Sequence, residues 1–398
     1  MDGLSSTQPM LNPRWCLAYD TIDRHDIDRL IEWLQTYPRL TKGLITLDFE
    51  SRWSTWLARS HSIFCNSGSS ANLLMYYALL ASGRLRNKKV IVPSVGWVTS
   101  IAPAIQFGFE PIMCEADPET FGLDLNHLEA LLKQHQAQTV MLVQVLGVPH
   151  KMREVLALKD RYGFILMEDA CAAIGASYEG RKVGSFGDLA SFSFYFGHQM
   201  STVEGGMVST DEKAFADLLL MLRSHGWSKD LDSQTHGALV TQHVIDDFHS
   251  PFVFYEPGFN LRSTDLNAFI GIGQLKKLDW MTEQRRRNHT QYLDRLGAHF
   301  YVQQPPAGSQ VASISVGLIA DSREQRRRIV KNLAQHGIET RIFSAGNLGL
   351  HPFWTRRYGV TSFPVADRIH HCGFFLPNHA GLTADDIAAI SHAVMEVA

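Results

Sequence analysis

Short apolar runs alternate with stretches of helical spacing through the first two thirds of the chain. KVIVPS around Val90, PIMCEAD around Met113, TVMLVQVLG around Leu142, FILMEDA around Leu166, LASFSFY around Phe192 and GGMVSTD around Val208 are all of this kind. Between them lie segments such as Leu125 to Gln134 and Met152 to Tyr162, whose apolar positions recur every three to four residues. A run that is apolar on both sides must be covered on both faces. The pattern therefore predicts strands of a mostly parallel sheet flanked by helices, a doubly wound α/β domain. From Leu231 to Glu256 the periodicity weakens and Gln, His, Asp and Pro accumulate, which predicts a long excursion of the kind that carries function. A helix is expected from about Thr264 to Arg287. SISVGLIA around Ser315, a charged helix from Ser322 to His336 and GIETRIF around Thr340 then close the chain as a small α+β domain. The expected division is a large domain with an N-terminal extension over residues 1–285 and a small one over 286–398, with no internal repeat.

Composition narrows the classes. Across 398 residues, 45% are hydrophobic and 19% charged, which excludes disorder, collagen and coiled coil. Lys and Arg number 37 against 40 Asp and Glu, a net charge of −3, so no electrostatic reason exists to expect nucleic acid or an anionic membrane as partner. The basic runs Arg285-Arg286-Arg287 and Arg326-Arg327-Arg328 fall inside helical patterns and are expected to be solvated faces. The start, MDGLSSTQPMLNPRW, lacks the basic opening and apolar core of a secretory signal, and no stretch approaches the roughly 18 apolar residues of a membrane span. The cytoplasm is the expected location. Five cysteines, odd in number and scattered, form neither a disulfide framework nor a paired Cys-x-x-Cys metal site. They are expected as reduced, mostly buried thiols, with no metal bound.

Four segments carry candidate chemistry. IFCNSGSSANLLMYYALLASG, from Ile63 to Gly83, runs from a strand end through a small polar turn into a helix. Gly68, Ser69 and their neighbours would offer free N–H groups and hydroxyls to a phosphate, or simply a Ser N-cap. No Walker lysine follows, so the phosphate would not be that of a P-loop nucleotide. MEDACAAIG puts Glu168 and Asp169 at the C-terminal end of a strand, where open parallel sheets hold ligands. A carboxylate there needs a cation, such as a protonated pyridine nitrogen, or else caps a helix. Trp97, in PSVGWVTS, either lies over a flat ring or belongs to the core. DLASFSFYFGHQMSTVEGGMVSTD, from Asp188 to Asp211, carries Ser193 on a strand, a break at Gly197, and His198 in the following turn.

Taken in order, SGSSAN, EDA, SFSFY and EPGFNLRSTDLNAFIGIGQLKKLDW from Glu256 to Trp280 resemble the sugar aminotransferase family of fold-type I pyridoxal phosphate enzymes, the DegT family. The resemblance spans nearly the whole chain. It implies an aspartate-aminotransferase-like fold in which Gly68, Ser69 and Ser193 hold the cofactor phosphate, Asp169 pairs with the pyridine nitrogen and Trp97 covers the ring. Asn260 matches a position that reaches the phosphate of the neighbouring subunit, which implies a homodimer with a shared active site. The family's aminotransferases carry a lysine shortly after SFSFY that tethers the aldehyde form of the cofactor. This chain has His198 there, and its nearest lysines, Lys182 and Lys213, lie outside the turn.

That departure is similar to the 4-keto-6-deoxysugar 3-dehydratases, and FGHQMSTVEGGMVST and LRSHGW are especially similar to the guanosine-linked members that make the colitose precursor. The resemblance implies pyridoxamine phosphate as the working cofactor, His198 as the base, a nucleotide-linked sugar as substrate, and glutamate as the donor that restores the amine. Cytidine-linked relatives hold an iron–sulfur cluster on cysteines between the histidine and the C-terminal domain. This chain has none between His198 and Cys372, so no cluster is expected. His225, in RSHGW, matches a position that reaches the neighbouring site, with a structural role as the alternative. Glu339 and Arg341, in GIETRIF, are candidates for substrate or donor binding, each with a structural role as the alternative. Two other readings stand beside the dehydratase: an aminotransferase whose lysine comes from elsewhere, and a non-catalytic relative that binds cofactor or nucleotide sugar.

Overall fold

The computed structural model describes residues 13–398. Its centre is a seven-stranded sheet of β1 (His61–Cys65), β2 (Lys89–Pro93), β3 (Glu110–Cys114), β4 (Thr139–Val143), β5 (Ile165–Asp169), β8 (Leu189–Ser193) and β9 (Gly206–Thr210). The spatial order is β1-β9-β8-β5-β4-β2-β3. Pairing is parallel from β3 through β8, while β9 runs antiparallel to both β8 and β1. The run around Val208 is thus the reversed strand of an otherwise parallel sheet. β4 and β8 are buried at every residue, as expected for strands covered on both faces. The helices Leu125–His135 and Met152–Tyr162 form where the apolar spacing predicted them, the first capped by Asp124, whose side chain accepts from His127 N–H.

Two small sheets complete the fold. β6 (Ser177–Tyr178), β7 (Arg181–Lys182) and β10 (Ser309–Gln310) form one, and β11 (Ser315–Ile319), β12 (Arg341–Ile342) and β13 (Gly373–Pro377) the other, in the order β11-β13-β12. The second is antiparallel and packs with the helices Arg323–Gln335 and Ala384–Met395 around its own apolar core.

The boundary expected at 285/286 falls inside one continuous helix, Asp265–Leu296. Its last turns, at Tyr292 and Leu296, are buried in the core of the small domain. Trp15 belongs to that core as well, bridged to Ile338 and donating its indole N–H to Asp386 at 2.8 Å. Trp15 is therefore tied to the C-terminal unit. The excursion from Leu231 to Glu256 contains a helix, Ser233–Gln242, with no buried residue; without a buried face it left no apolar period to read.

The basic run at 285–287 departs from expectation at one position. Arg286 and Arg287 pair with Glu283 on the surface, whereas Arg285 is buried. Its guanidinium donates to the carbonyls of Asn378, Ile314 (3.2 Å) and His198 (3.2 Å), bonds made across the tertiary structure and invisible to a local charge pattern. Among the described residues all five cysteines are free, and no group of three or more His, Cys, Asp or Glu side chains stands ready to hold a metal. No helix among them is long and apolar enough to cross a membrane.

Candidate active site

A cavity of about 500 Å³ opens at the C-terminal ends of the parallel strands, against the small domain. Such strand ends are where open α/β sheets bind ligands, because loops diverge there and helix N-termini converge. Eight of the ten predicted site residues line it: Gly68, Ser69, Trp97, Asp169, Ser193 and His198 from the large domain, and Glu339 and Arg341 from the small one; Asn260 and His225 lie outside.

The helix Gly68–Ala81 starts at the cavity. Ser67 caps it, its hydroxyl accepting from Ser70 N–H at 3.0 Å, so the capping reading holds for Ser67 while Gly68 and Ser69 face the cavity. This helix end presents unpaired N–H groups and a positive dipole end. A Cβ on Gly68 would meet the Ser193 Cβ at 2.4 Å and its Oγ at 2.8 Å, so only glycine lets the helix end reach the strand that delivers Ser193.

Glu168 and Asp169, adjacent on β5, point to opposite faces. Glu168 is fully buried behind the sheet, where its carboxylate accepts from the backbone N–H groups of Gly184, Phe186 and Gly187 and from Gln144 Nε2 at 2.6–3.1 Å. That makes it a folding residue. Asp169 faces the cavity. Its Oδ2 accepts from Asn72 Nδ2 at 2.9 Å and Ser100 Oγ at 2.6 Å, and its Oδ1 from Cys171 N–H at 3.1 Å. Asn72 is itself oriented by Ser191, whose hydroxyl donates to its Oδ1 at 2.6 Å. Asn72 and Ser100 were missed from the sequence. Asn72 had a signal, since it lies one helical turn after Gly68 on the same face.

His198 sits in the turn after β8, its N–H donating to the Tyr195 carbonyl at 3.0 Å. Its Nδ1 is closed off from solvent and has no hydrogen-bond partner. Burial drives the imidazole's pKa down to about 4; the Asp169 charge opposes this, and the Arg285 charge reinforces it. The ring is consequently uncharged at neutral pH. No lysine lines the cavity. Lys182 lies over the Trp56 ring, and Lys213 pairs with Asp217 and Asp232.

Trp97 belongs to the wall, not the core: it is 50% exposed, and the Arg341 guanidinium stands 5.7 Å from its ring centre. Glu339 accepts from Leu17 N–H at 2.7 Å, holding Leu17 and Ala18 at the cavity wall. Arg341, beside Glu339, has its pKa lowered by burial.

Asn260 and His225 lie together elsewhere. Both are exposed and both touch Arg262, which donates to Asn260 Oδ1 at 3.0 Å and approaches His225 Nε2 at 3.3 Å. Asn260 and Arg262 line a separate groove of about 920 Å³ with Lys42, Trp227 and Lys229. His225 holds a left-handed backbone (φ 65°), unusual for a residue with a Cβ. The neighbouring Arg223 is fully buried and anchors this turn to β1 through Glu50 Oε1 (2.5 Å) and the Phe64 carbonyl (2.7 Å).

The chain belongs to the DegT/DnrJ/EryC1/StrS aminotransferase family, whose model matches residues 20–395. It is 30% identical over 371 residues to a GDP-4-keto-6-deoxy-D-mannose 3-dehydratase of Yersinia pseudotuberculosis, covering 91% of this chain and 93% of that one. It is also 30% identical over 393 residues to a GDP-perosamine synthase of Caulobacter vibrioides, covering 97% and 98%. Among solved structures, an E. coli GDP-4-keto-6-deoxy-D-mannose-3-dehydratase with bound hydrated PLP superposes with a TM-score of 0.88 at 27% identity, over 96% of this chain and all of that one. The mixed α/β architecture with its large, mostly parallel sheet is the aminotransferase fold the motifs implied.

Proposed function

We propose that this protein is a pyridoxamine phosphate-dependent dehydratase that removes the carbon-3 hydroxyl of a nucleotide-linked 4-keto-6-deoxyhexose, with GDP-4-keto-6-deoxymannose as the substrate, glutamate as amino donor and ammonia as co-product. The observation that carries the reading is His198: an imidazole, and no lysine, stands at the cavity. The similar 3-dehydratases support the reaction class.

The residues present fit the cofactor. The helix end at Gly68 and Ser69, beside the Ser193 hydroxyl, suits a phosphate. Asp169, turned into the cavity by Asn72 and Ser100, suits a protonated ring nitrogen. The exposed Trp97 indole suits a flat ring. When bound, the amine form supplies the nitrogen that condenses with the carbon-4 ketone and a ring able to store electrons while the hydroxyl leaves. His198 takes up a proton as a general base, being uncharged and within the wall. Glu339 and Arg341 bind polar groups of the sugar nucleotide or the donor.

The proposed working unit is a homodimer with shared sites. Asn260 and His225 lie outside their own cavity; Asn260 lines a second groove with Arg262, which approaches His225, and His225 keeps a left-handed backbone there. Tyr37 and Leu44, near the same groove, are 94% and 81% exposed. A second reading, a sugar aminotransferase, is favoured by the equal identity to the perosamine synthase.

The deciding experiment incubates purified protein with pyridoxal phosphate, glutamate and GDP-4-keto-6-deoxymannose, beside His198→Ala and His198→Lys. Formation of a 3-deoxy product, ammonia and 2-oxoglutarate, lost in His198→Ala, supports the dehydratase. A 4-amino sugar from the wild type, or borohydride reduction of cofactor onto a protein lysine, overturns it in favour of the aminotransferase.

A further inference from the structure

The interior directly behind His198 holds a charge with no counter-charge. Arg285 is among the largest fully buried side chains, and among the described residues it forms no ion pair with any Asp or Glu. A buried guanidinium without a carboxylate is costly, so a fold that keeps one uses it. Its donors go to main-chain carbonyls from three parts of the chain: His198 in the turn after β8, Ile314 just before β11, and Asn378 just after β13. Asn378 returns the contact, donating through Nδ2 to the Arg285 carbonyl at 3.1 Å and to the Ser313 carbonyl at 3.0 Å. The adjacent Gln199 is fixed in parallel, its Nε2 donating to the carbonyls of Ala172 and Ala312 at 2.7 Å each. Small-domain main chain and the His198 turn are thus joined through two side chains, Arg285 and Gln199, of which only Arg285 carries a charge.

We propose that Arg285 is a positioning residue for His198: it clamps the turn that carries the imidazole against the small domain and presents to the ring a positive charge that no carboxylate neutralises. The inference rests on His198 being the base. The charged and titratable groups around the ring are Asp169 at the end of β5, Cys171 in the loop after it, Tyr195 in its own turn, Glu204 before β9, Arg285, and Glu339 and Arg341 from the small domain. Of the groups acting on the imidazole, Asp169 and the Cys171 carbonyl favour its charged form, while Arg285 and Arg341 oppose it along with burial. Arg341 stands at the cavity and Arg285 behind it.

The test compares wild type with Arg285→Gln and Arg285→Lys by urea melting, by steady-state kinetics across pH, and by an NMR titration of the His198 ring in cofactor-free protein, assigned by difference from His198→Asn. In Arg285→Gln the ring is expected to titrate at higher pH than in the wild type. Its kcat is expected to fall about 100-fold, the scale of a small misplacement of a reacting group, with KM changed less than about threefold. Arg285→Lys keeps the charge but cannot reach three carbonyls, so kcat falls while the ring titrates as in the wild type. A folded Arg285→Gln with wild-type kcat and an unmoved titration overturns the proposal, as does wild-type kcat in Arg285→Lys if the Gln variant does not fold. Loss of fold in both variants also overturns it, marking Arg285 as a stability residue alone. A wild type without dehydratase activity sinks the proposed reaction instead, while the ring titration still reports the contact between Arg285 and His198.

Discussion

Gly68 and Ser193 are packed so closely that a methyl group on the first would lie 2.4 Å from the Cβ of the second. This contact sets the end of the helix Gly68–Ala81 against the end of β8 and so forms the small polar pocket expected to hold the cofactor phosphate. In Gly68→Ala the helix must withdraw or Ser193 must turn away. Overpacking of this kind costs about 1–3 kcal/mol. The expected outcome is a lower urea midpoint with weaker pyridoxal phosphate binding by absorbance titration; unchanged cofactor affinity would show that the phosphate is held elsewhere.

The two neighbouring carboxylates on β5 should separate by phenotype. Glu168→Gln leaves four buried donors facing an amide that cannot accept from all of them, so stability falls by roughly 3 kcal/mol, the scale of lost hydrogen bonds to a buried charge. Asp169→Asn retains most of the packing and is expected to melt close to the wild type while losing turnover. Denaturant melts and product assays on the pair check both statements.

The clamp on Asp169 is open to the same approach. Ser100→Ala removes a 2.6 Å hydrogen bond to the carboxylate, worth about 1.5–3 kcal/mol for a charged acceptor. That corresponds to roughly ten- to hundredfold weaker cofactor binding if the orientation of Asp169 is what holds the ring. Equilibrium titration of the cofactor would expose an error here as an unaltered affinity.

Trp97→Ala tests ring coverage. The indole is half exposed, so the fold should persist, and losing a stacked aromatic costs about 0.5–1.5 kcal/mol, up to about tenfold in cofactor affinity. An unchanged dissociation constant would remove Trp97 from the cofactor site.

Stability should fall on mild acidification. His198, His289 and His379 each have a pKa pushed from the ordinary 6.5 down to about 4 by burial, with nearby charges, Arg285 among them, acting on His198 and His379. The unfolded chain binds protons at these residues first, so their contribution is present above pH 6.5 and is lost as pH falls through about 4. Urea midpoints measured from pH 8 down to pH 4 should decline in that window. The decline should be shallower in His289→Gln, a residue away from the cavity; an identical slope would mean that His289 does not titrate as described.

The sequence alone determined the strands and the site segments that lie on them. Apolar runs such as TVMLV must be buried on both faces, and the SGSSAN, EDA and SFSFY segments each sit at a strand end, so a sheet of this kind brings them to one edge. It also placed His198 in the turn after SFSFY, where the resemblance implies a lysine in the family's aminotransferases. Contacts between distant parts of the chain were left to the tertiary structure, because periodicity and propensity report only on neighbours in sequence. That β9 runs against its neighbours, that Glu168 and Asp169 serve opposite faces, and that Asn72 and Ser100 meet on one carboxylate oxygen follow from strand register and packing. The sharpest case is Arg285. Its local pattern is that of a solvated helix face, and only the docking of the small domain on the long helix converts it into a buried guanidinium on the His198 carbonyl.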